Sequence, residues 1–180
     1  MSRSIFCDAA HPAYHTRPCS GWILRGKNRY VKSVPGRLHV NLSAAVNLHN
    51  PCDAVVRDDR RINATTSIAL FRALEKRHRH GTIHVVCDNA RYYRCAKVRN
   101  WLEGGRINLV FLPPYSPNLN LAERLWKLMR AEVIDSVYYE DFASFKSALL
   151  DFFRYLGDQT ARLTTLMTPR FHIEEVRVAG

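Results

Sequence analysis

The stretch HVVCDNARYYR, His84 to Arg94, decides how the rest of the chain is read. Val85, Val86 and Cys87 are β-prone and apolar or thiol-bearing, and an aspartate, an asparagine and then a run of bases follow at once. With Thr82 and Ile83 ahead of it, the segment predicts a buried strand that stops at Asp88. A continuous apolar run, rather than an alternating one, is expected where helices cover both faces of a sheet. Two readings of Asp88 stay open at this point. It is the polar stop of a strand, turning on its own backbone, or a carboxylate delivered to the edge where open α/β sheets place their sites.

Working outward, SIFCDAAHP has the same form: a short buried strand ending at Asp8 and stopped by His11-Pro12. If the two strands are parallel neighbours, Asp8 and Asp88 emerge together at one carboxyl edge. Between them, GWILRG, RYVKSV and RLHVNLSAAVNL read as β-like pieces, with breaks at Gly26 and Pro35-Gly36 that suggest hairpins. DAVVR is a further strand. A helix capped by Asn63 or Thr66 follows, with Ile68, Leu70, Phe71 and Leu74 as its buried stripe. It ends in the basic run KRHRH, with cations at the negative end of the dipole and Gly81 expected just past the last turn.

After Asp88 come a helix in RCAKVRNWLEGG, a strand in INLVFLPPYSP that runs into a proline elbow, and a helix in NLAERLWKLMRAEV. DFASFKSALLDFFRYL places Phe142, Phe145, Leu149, Phe152 and Leu156 on one helical face. Hairpin strands followed by strand–helix alternation make an α/β domain with a mixed sheet flanked by helices. Its expected extent is residues 1–156, with 157–180 a helical or irregular extension of the same domain.

At 180 residues, 47% of them hydrophobic, the chain can bury one real core and is short for two. Lys and Arg number 27 against 16 Asp and Glu, a net charge of +11. That excess favours a polyanionic partner, nucleic acid first and an anionic membrane surface second, against the bland alternative of a solvated basic surface. Cys7, Cys19, Cys52, Cys87 and Cys95 are odd in number and irregular in spacing and form no CxxC, so neither a disulfide framework nor a zinc knuckle is suggested, and a reducing compartment fits best. No run approaches 18 apolar residues and the first ten residues hold no apolar signal core, so the expected location is the cytoplasm. His11 and His15 have i,i+4 spacing, but their proline-flanked, strand-like context argues against a zinc helix. Trp22, Trp101 and Trp126 read as packing residues rather than base-stacking platforms.

Glu123 lies off the buried face set by Leu121, Leu125, Leu128, Met129 and Val133. Two bland roles are open to it: the third helical position of a capping box on Asn120, or an i,i+4 partner for Lys127. Spacing within the helix does not choose. The combination does more: two strand-end aspartates and a helix-start glutamate, in a chain at +11, are what a divalent-metal phosphodiester site requires. Arg91, Arg94 and Lys97 follow Asp88, and Arg124, Lys127 and Arg130 flank Glu123, so these six could grip phosphates or be ordinary solvated faces.

DNARYYR followed by LVFLPPYSPNLNLAERLWK resembles the DDE-type transposases of bacterial insertion sequences related to the mariner superfamily, and FCDAAHP and NATTSIALFRAL extend the likeness from about Ser4 to Leu156. The resemblance implies a ribonuclease-H-like fold, with Asp8, Asp88 and Glu123 as the three acids, the last following the second by 35 positions. It implies Mg²⁺ or Mn²⁺, two ions, held by those acids. It also implies cleavage of phosphodiesters at transposon ends and strand transfer into double-stranded target DNA at TA, by a homodimer. Tyr93 departs from the family, which often has histidine there, and Leu121-Ala122 departs from a usual proline and branched residue. The first catalytic strand starts within ten residues of the N-terminus, so the sequence-reading helix-turn-helix half is expected on a separately encoded chain, or lost from a truncated copy. A non-catalytic DNA-binding remnant and a cellular nuclease of the same fold are the alternatives.

Overall fold

The computed structural model describes residues 3–167 apart from 20, 21, 29, 35 and 115. The hairpin break expected at Pro35 and the extension beyond residue 167 lie outside the described residues. Five strands form one sheet: β1 (Arg3–Ala10), β2 (Leu42–Asn47), β3 (Val55–Asp58), β4 (Ile83–Cys87) and β5 (Ile107–Phe111). Their order is β3-β2-β1-β4-β5. β1 pairs antiparallel with β2, and β2 with β3, while β1–β4 and β4–β5 are parallel. β1 and β4 are therefore the parallel neighbours that the two strand-end aspartates called for.

Side-chain alternation along the strands divides the core into two layers. Ile5, Cys7, Ile83, Val85 and Cys87 face one side, against α1 (Ala64–Arg77), α2 (Arg91–Arg94) and α3 (Ala96–Leu102). Phe6, Leu42, Ala44 and Val46 face the other. There they meet α4 (Ala122–Met129), the π turn that continues it (Arg130–Ile134), α5 (Phe142–Arg154) and α6 (Thr160–Leu166). Leu163 and Met167 are buried in that second layer, and Arg124 Nη1 of α4 donates to the Leu166 carbonyl at 2.6 Å. No helix among the described residues is long and apolar enough to cross a membrane.

α1 starts as expected at Asn63. Its Oδ1 accepts from the Thr65 and Thr66 amides at 2.8 and 3.2 Å, and Thr66 Oγ1 accepts from the Asn63 amide at 2.9 Å. The end differs from expectation. His78 closes the helix, and Gly81, with φ of 82°, turns the chain three residues later. A glycine cap is not needed, because the Arg106 guanidinium donates to the carbonyls of Glu75, His78 and Gly81 at 3.0, 2.8 and 3.2 Å.

The largest difference lies between β1 and β2. GWILRG and RYVKSV were expected as strands, yet the described residues from 22 to 34 are irregular. Trp22, Leu24 and Tyr30 stand exposed, so Trp22 is not a packing residue. Local β propensity there is real, but a strand needs an edge to pair with. The strands on either side of it in the chain offer none: both edges of β1 are taken by β2 and β4, and both edges of β2 by β1 and β3, while the open outer edges belong to β3 and β5.

Replacing Asn63 with alanine removes the acceptor for two first-turn amides and should cost about 1 kcal/mol. The expected result is a lower urea midpoint with an unchanged slope of free energy against denaturant.

Candidate active site

β1 does not stop at Asp8, as its sequence suggested; it runs on to Ala10, paired with β2 through Ala10↔Leu42. Its parallel pairing with β4, however, ends at Phe6↔Val86. Asp8 thus lies just where β1 has parted from β4, and the alternation that turns Phe6 and Val86 toward α4 turns Asp8 the same way. The residue is only 9% exposed. Trp126 Nε1, from α4, donates to Asp8 Oδ2 at 2.9 Å. Burial, then the neighbouring charges of Glu123 and Asp88, push the Asp8 carboxyl up to about 7, against the opposing pull of the Ala9 amide and the Trp126 N–H.

Asp88 follows the last residue of β4 directly. Its Oδ1 accepts from the Ala90 amide at 3.1 Å, the local turn that the bland reading described. Asn89 Nδ2 donates to the Leu112 carbonyl at 2.7 Å, and the Leu112 amide donates to the Cys87 carbonyl at 2.9 Å. These bonds tie the strand end to the start of the proline elbow.

Glu123 is the second residue of α4, half-buried. Neither bland role is realised: among the described residues its carboxylate makes no hydrogen bond or ion pair, with Lys127 or otherwise. Asn120 does the capping alone, accepting from the Ala122 amide at 3.1 Å. Its amide Nδ2 donates to the Cys7 carbonyl at 3.1 Å, which pins the start of α4 to β1 one residue before Asp8. This cross-link uses an N-cap signal that the sequence did show, though not its partner.

Asp8, Asp88 and Glu123 line one cavity of about 430 Å³, walled by Asn89, Pro113, Pro114 and Asn120. The three do not close into a ready-made cage: among the described residues no group of three His, Cys, Asp or Glu side chains is drawn together tightly enough to hold an ion. The donor set nevertheless suits a hard divalent cation, being all oxygen and acidic. Asp8, crowded by two like charges with no cation in contact, is where such an ion would relieve the most strain on ionisation.

The six candidate phosphate-binding cations separate. Arg94 donates to Asn89 Oδ1 and stacks over Phe111 at 4.4 Å, Lys97 donates to Thr65 Oγ1 at 2.7 Å, and Arg124 holds the Leu166 carbonyl. Arg91, Lys127 and Arg130 are exposed. Tyr93, at the family's histidine position, is 2% exposed, stacks on Phe71 at a centroid distance of 6.0 Å, and does not line the cavity. Trp126 was legible only as packing; its N–H contact to Asp8 spans 118 residues and leaves no local signal.

A mixed five-stranded sheet with helices on both faces and three acids at its carboxyl edge defines a ribonuclease-H-like fold. The chain belongs to the DDE superfamily endonuclease family, whose model matches residues 3–146. It is 27% identical over 134 residues to the "Insertion element IS630 uncharacterized 39 kDa protein" of Shigella sonnei, covering 68% of this chain and 39% of that protein. The Mos1 strand transfer complex superposes with a TM-score of 0.65 at 19% identity, over 92% of this chain and 50% of the Mos1 chain. The catalytic domain of Mos1 mariner transposase gives 0.55 at 17% identity, over 92% and 78%. At these identities the likeness is one of fold, and the chain spans well under two thirds of the full-length relatives.

Two measurements test this electrostatic picture. At pH 8, a urea double-mutant cycle of Trp126→Phe with Asp8→Ala should give a coupling of about 1.5–3 kcal/mol, as for a hydrogen bond to a charged group, over and above the packing cost that Trp126→Phe carries in either background. The raised Asp8 carboxyl stabilises the metal-free fold below its ordinary value of 3.8, and that contribution is lost as pH rises through about 7. In EDTA, the stability of wild type relative to Asp8→Asn should therefore decline across that interval.

Proposed function

We propose that this chain is a DNA transposase catalytic domain, which cleaves phosphodiesters at transposon ends and joins the freed 3′-hydroxyl to target DNA. The observation that carries the reading is the single cavity lined by Asp8, Asp88 and Glu123 in a member of the DDE superfamily endonuclease family. In the reaction, a water oxygen bonds to the phosphorus as the bond to the 3′-oxygen breaks, and the 3′-oxygen leaves as a hydroxyl. That hydroxyl then attacks a target phosphodiester, whose own 3′-oxygen departs. Acidic side chains alone would repel the substrate, and the net charge of +11 supplies the long-range attraction.

Asp8, Asp88 and Glu123 are the residues that would hold Mg²⁺ or Mn²⁺; structures of Mos1 paired-end complexes are described with each. Bound there, two such ions would polarise the phosphate and favour ionisation of the attacking oxygen. The chain's own contributions are positional. Trp126 fixes which Asp8 oxygen faces the cavity, Asn120 sets the distance from α4 to β1, and Pro113 and Pro114 stiffen the opposite wall. Double-stranded DNA is the partner in this reading, with TA as the target and a homodimer as the working form. Recognition of particular end sequences would fall to a helix-turn-helix region, as the resemblance implies.

The test is divalent-metal-dependent nicking and strand transfer on duplex oligonucleotides that carry the element's ends, with any separately encoded recognition region supplied. Asp88→Ala should reduce the rate by about a thousandfold, the loss of several kcal/mol of charge stabilisation. Equal activity in wild type and variant would overturn the assignment of the three acids.

A further inference from the structure

On the other side of Glu123 lies a second cavity, of about 320 Å³, which shares that glutamate with the first. Arg17, His11 and His15 line it from the segment after β1, and Arg130 from the π turn. Its remaining lining is apolar, including Trp126 and Met129. We infer that this cavity is a seat for a phosphodiester of the DNA strand passing Glu123, gripped by Arg17 and Arg130. The inference rests on the proposed DNA reaction and assigns the strand's path beyond the three acids.

Three features carry it. First, among the described residues neither the Arg17 nor the Arg130 guanidinium is engaged in an ion pair or side-chain hydrogen bond, whereas Arg94, Arg106 and Arg124 are all occupied in structure. Second, the two arginines are 113 positions apart yet held on one groove by backbone: the Ser136 amide donates to the Arg17 carbonyl at 2.8 Å, and Arg17 bridges in parallel to Asp135. Third, the backbone there is in uncommon conformations. Arg130–Ile134 is a π turn, and Ser136 has φ of 61°; such turns and left-handed non-glycine residues concentrate at functional sites. Two cations beside an apolar floor suit a phosphate with its deoxyribose, the arginines supplying forked donors to the phosphate oxygens.

The experiment is a salt series of DNA binding by fluorescence anisotropy, using an end-bearing duplex. The variants are Arg17→Ala, Arg130→Ala, the double variant, the charge-keeping Arg17→Lys and Arg130→Lys, and Arg72→Ala on α1 across the sheet. Each alanine variant should weaken binding and reduce the slope of log affinity against log salt by about 0.9. The lysine variants should keep the parent slope even if an alanine variant folds poorly, and Arg72→Ala should change nothing. A single methylphosphonate at the seated position should weaken the parent and have no further effect on the double variant. Parent-like slopes in the folded double variant would overturn the seat while leaving the transposase reading intact. Absence of DNA binding by the parent would overturn both.

Discussion

The parallel pairing of β1 with β4 is the constraint on which the site depends. Its register, Phe6 with Val86, sets the point at which the two strands part, and the two aspartates stand two residues beyond it. Period-two alternation then fixes direction: Cys7 and Cys87 turn into the layer under α1, so Asp8 must turn toward α4. A one-residue slip of either strand would send a carboxylate into the apolar layer and a thiol into the cavity. The burial of Cys87, helped by the adjacent charge of Asp88, pushes its thiol up to about 12, so it remains an uncharged packing group directly behind the acids.

Burying the Asp8 carboxylate beside two other acids is costly, and the fold meets that cost with few donors. Asp8 has the Trp126 N–H and the Ala9 amide and Asp88 has the Ala90 amide, while Glu123 has no partner among the described residues. Among the described residues the three acids thus lack the cationic partners that a structural ion-pair network would supply. α4 does two jobs in this: its apolar face completes the core through Leu125 and Leu128, and its first turn presents Glu123 while Trp126, one turn on, reaches Asp8.

Much of this was legible in the sequence because it was encoded locally. The apolar runs ahead of Asp8 and Asp88 mark β1 and β4, Asn63 marks the start of α1, and Phe142, Phe145, Leu149 and Phe152 mark the inward face of α5, which ends at Arg154, before Leu156. What was not legible depends on pairs distant in the chain. Trp126 has the composition of a core residue and is one, at 1% exposed, yet its single polar atom is spent on Asp8. Trp22 and its neighbours have strand-like composition, but neither β1 nor β2, the strands that flank them in the chain, has a free edge for them to join. The helix-capping guanidinium of Arg106 replaces a glycine cap from 28 residues away, so Gly81 alone misled. Arg17 carries no local mark at all; only its backbone link to Ser136 brings it beside Arg130.

Arg94 stands beside the cavity of the three acids and also over the outer edge of the sheet. Among the described residues β5 closes the sheet with one unpaired edge, and Val110 and Phe111 on it are exposed. A short apolar edge of this kind is a template for pairing with a second chain. Arg94 lies over the Phe111 ring and is anchored by Asn89, so a charged, hydrated group covers the end of that edge. A neutral residue at position 94 would thus be felt first as self-association of the protein, with the three acids untouched.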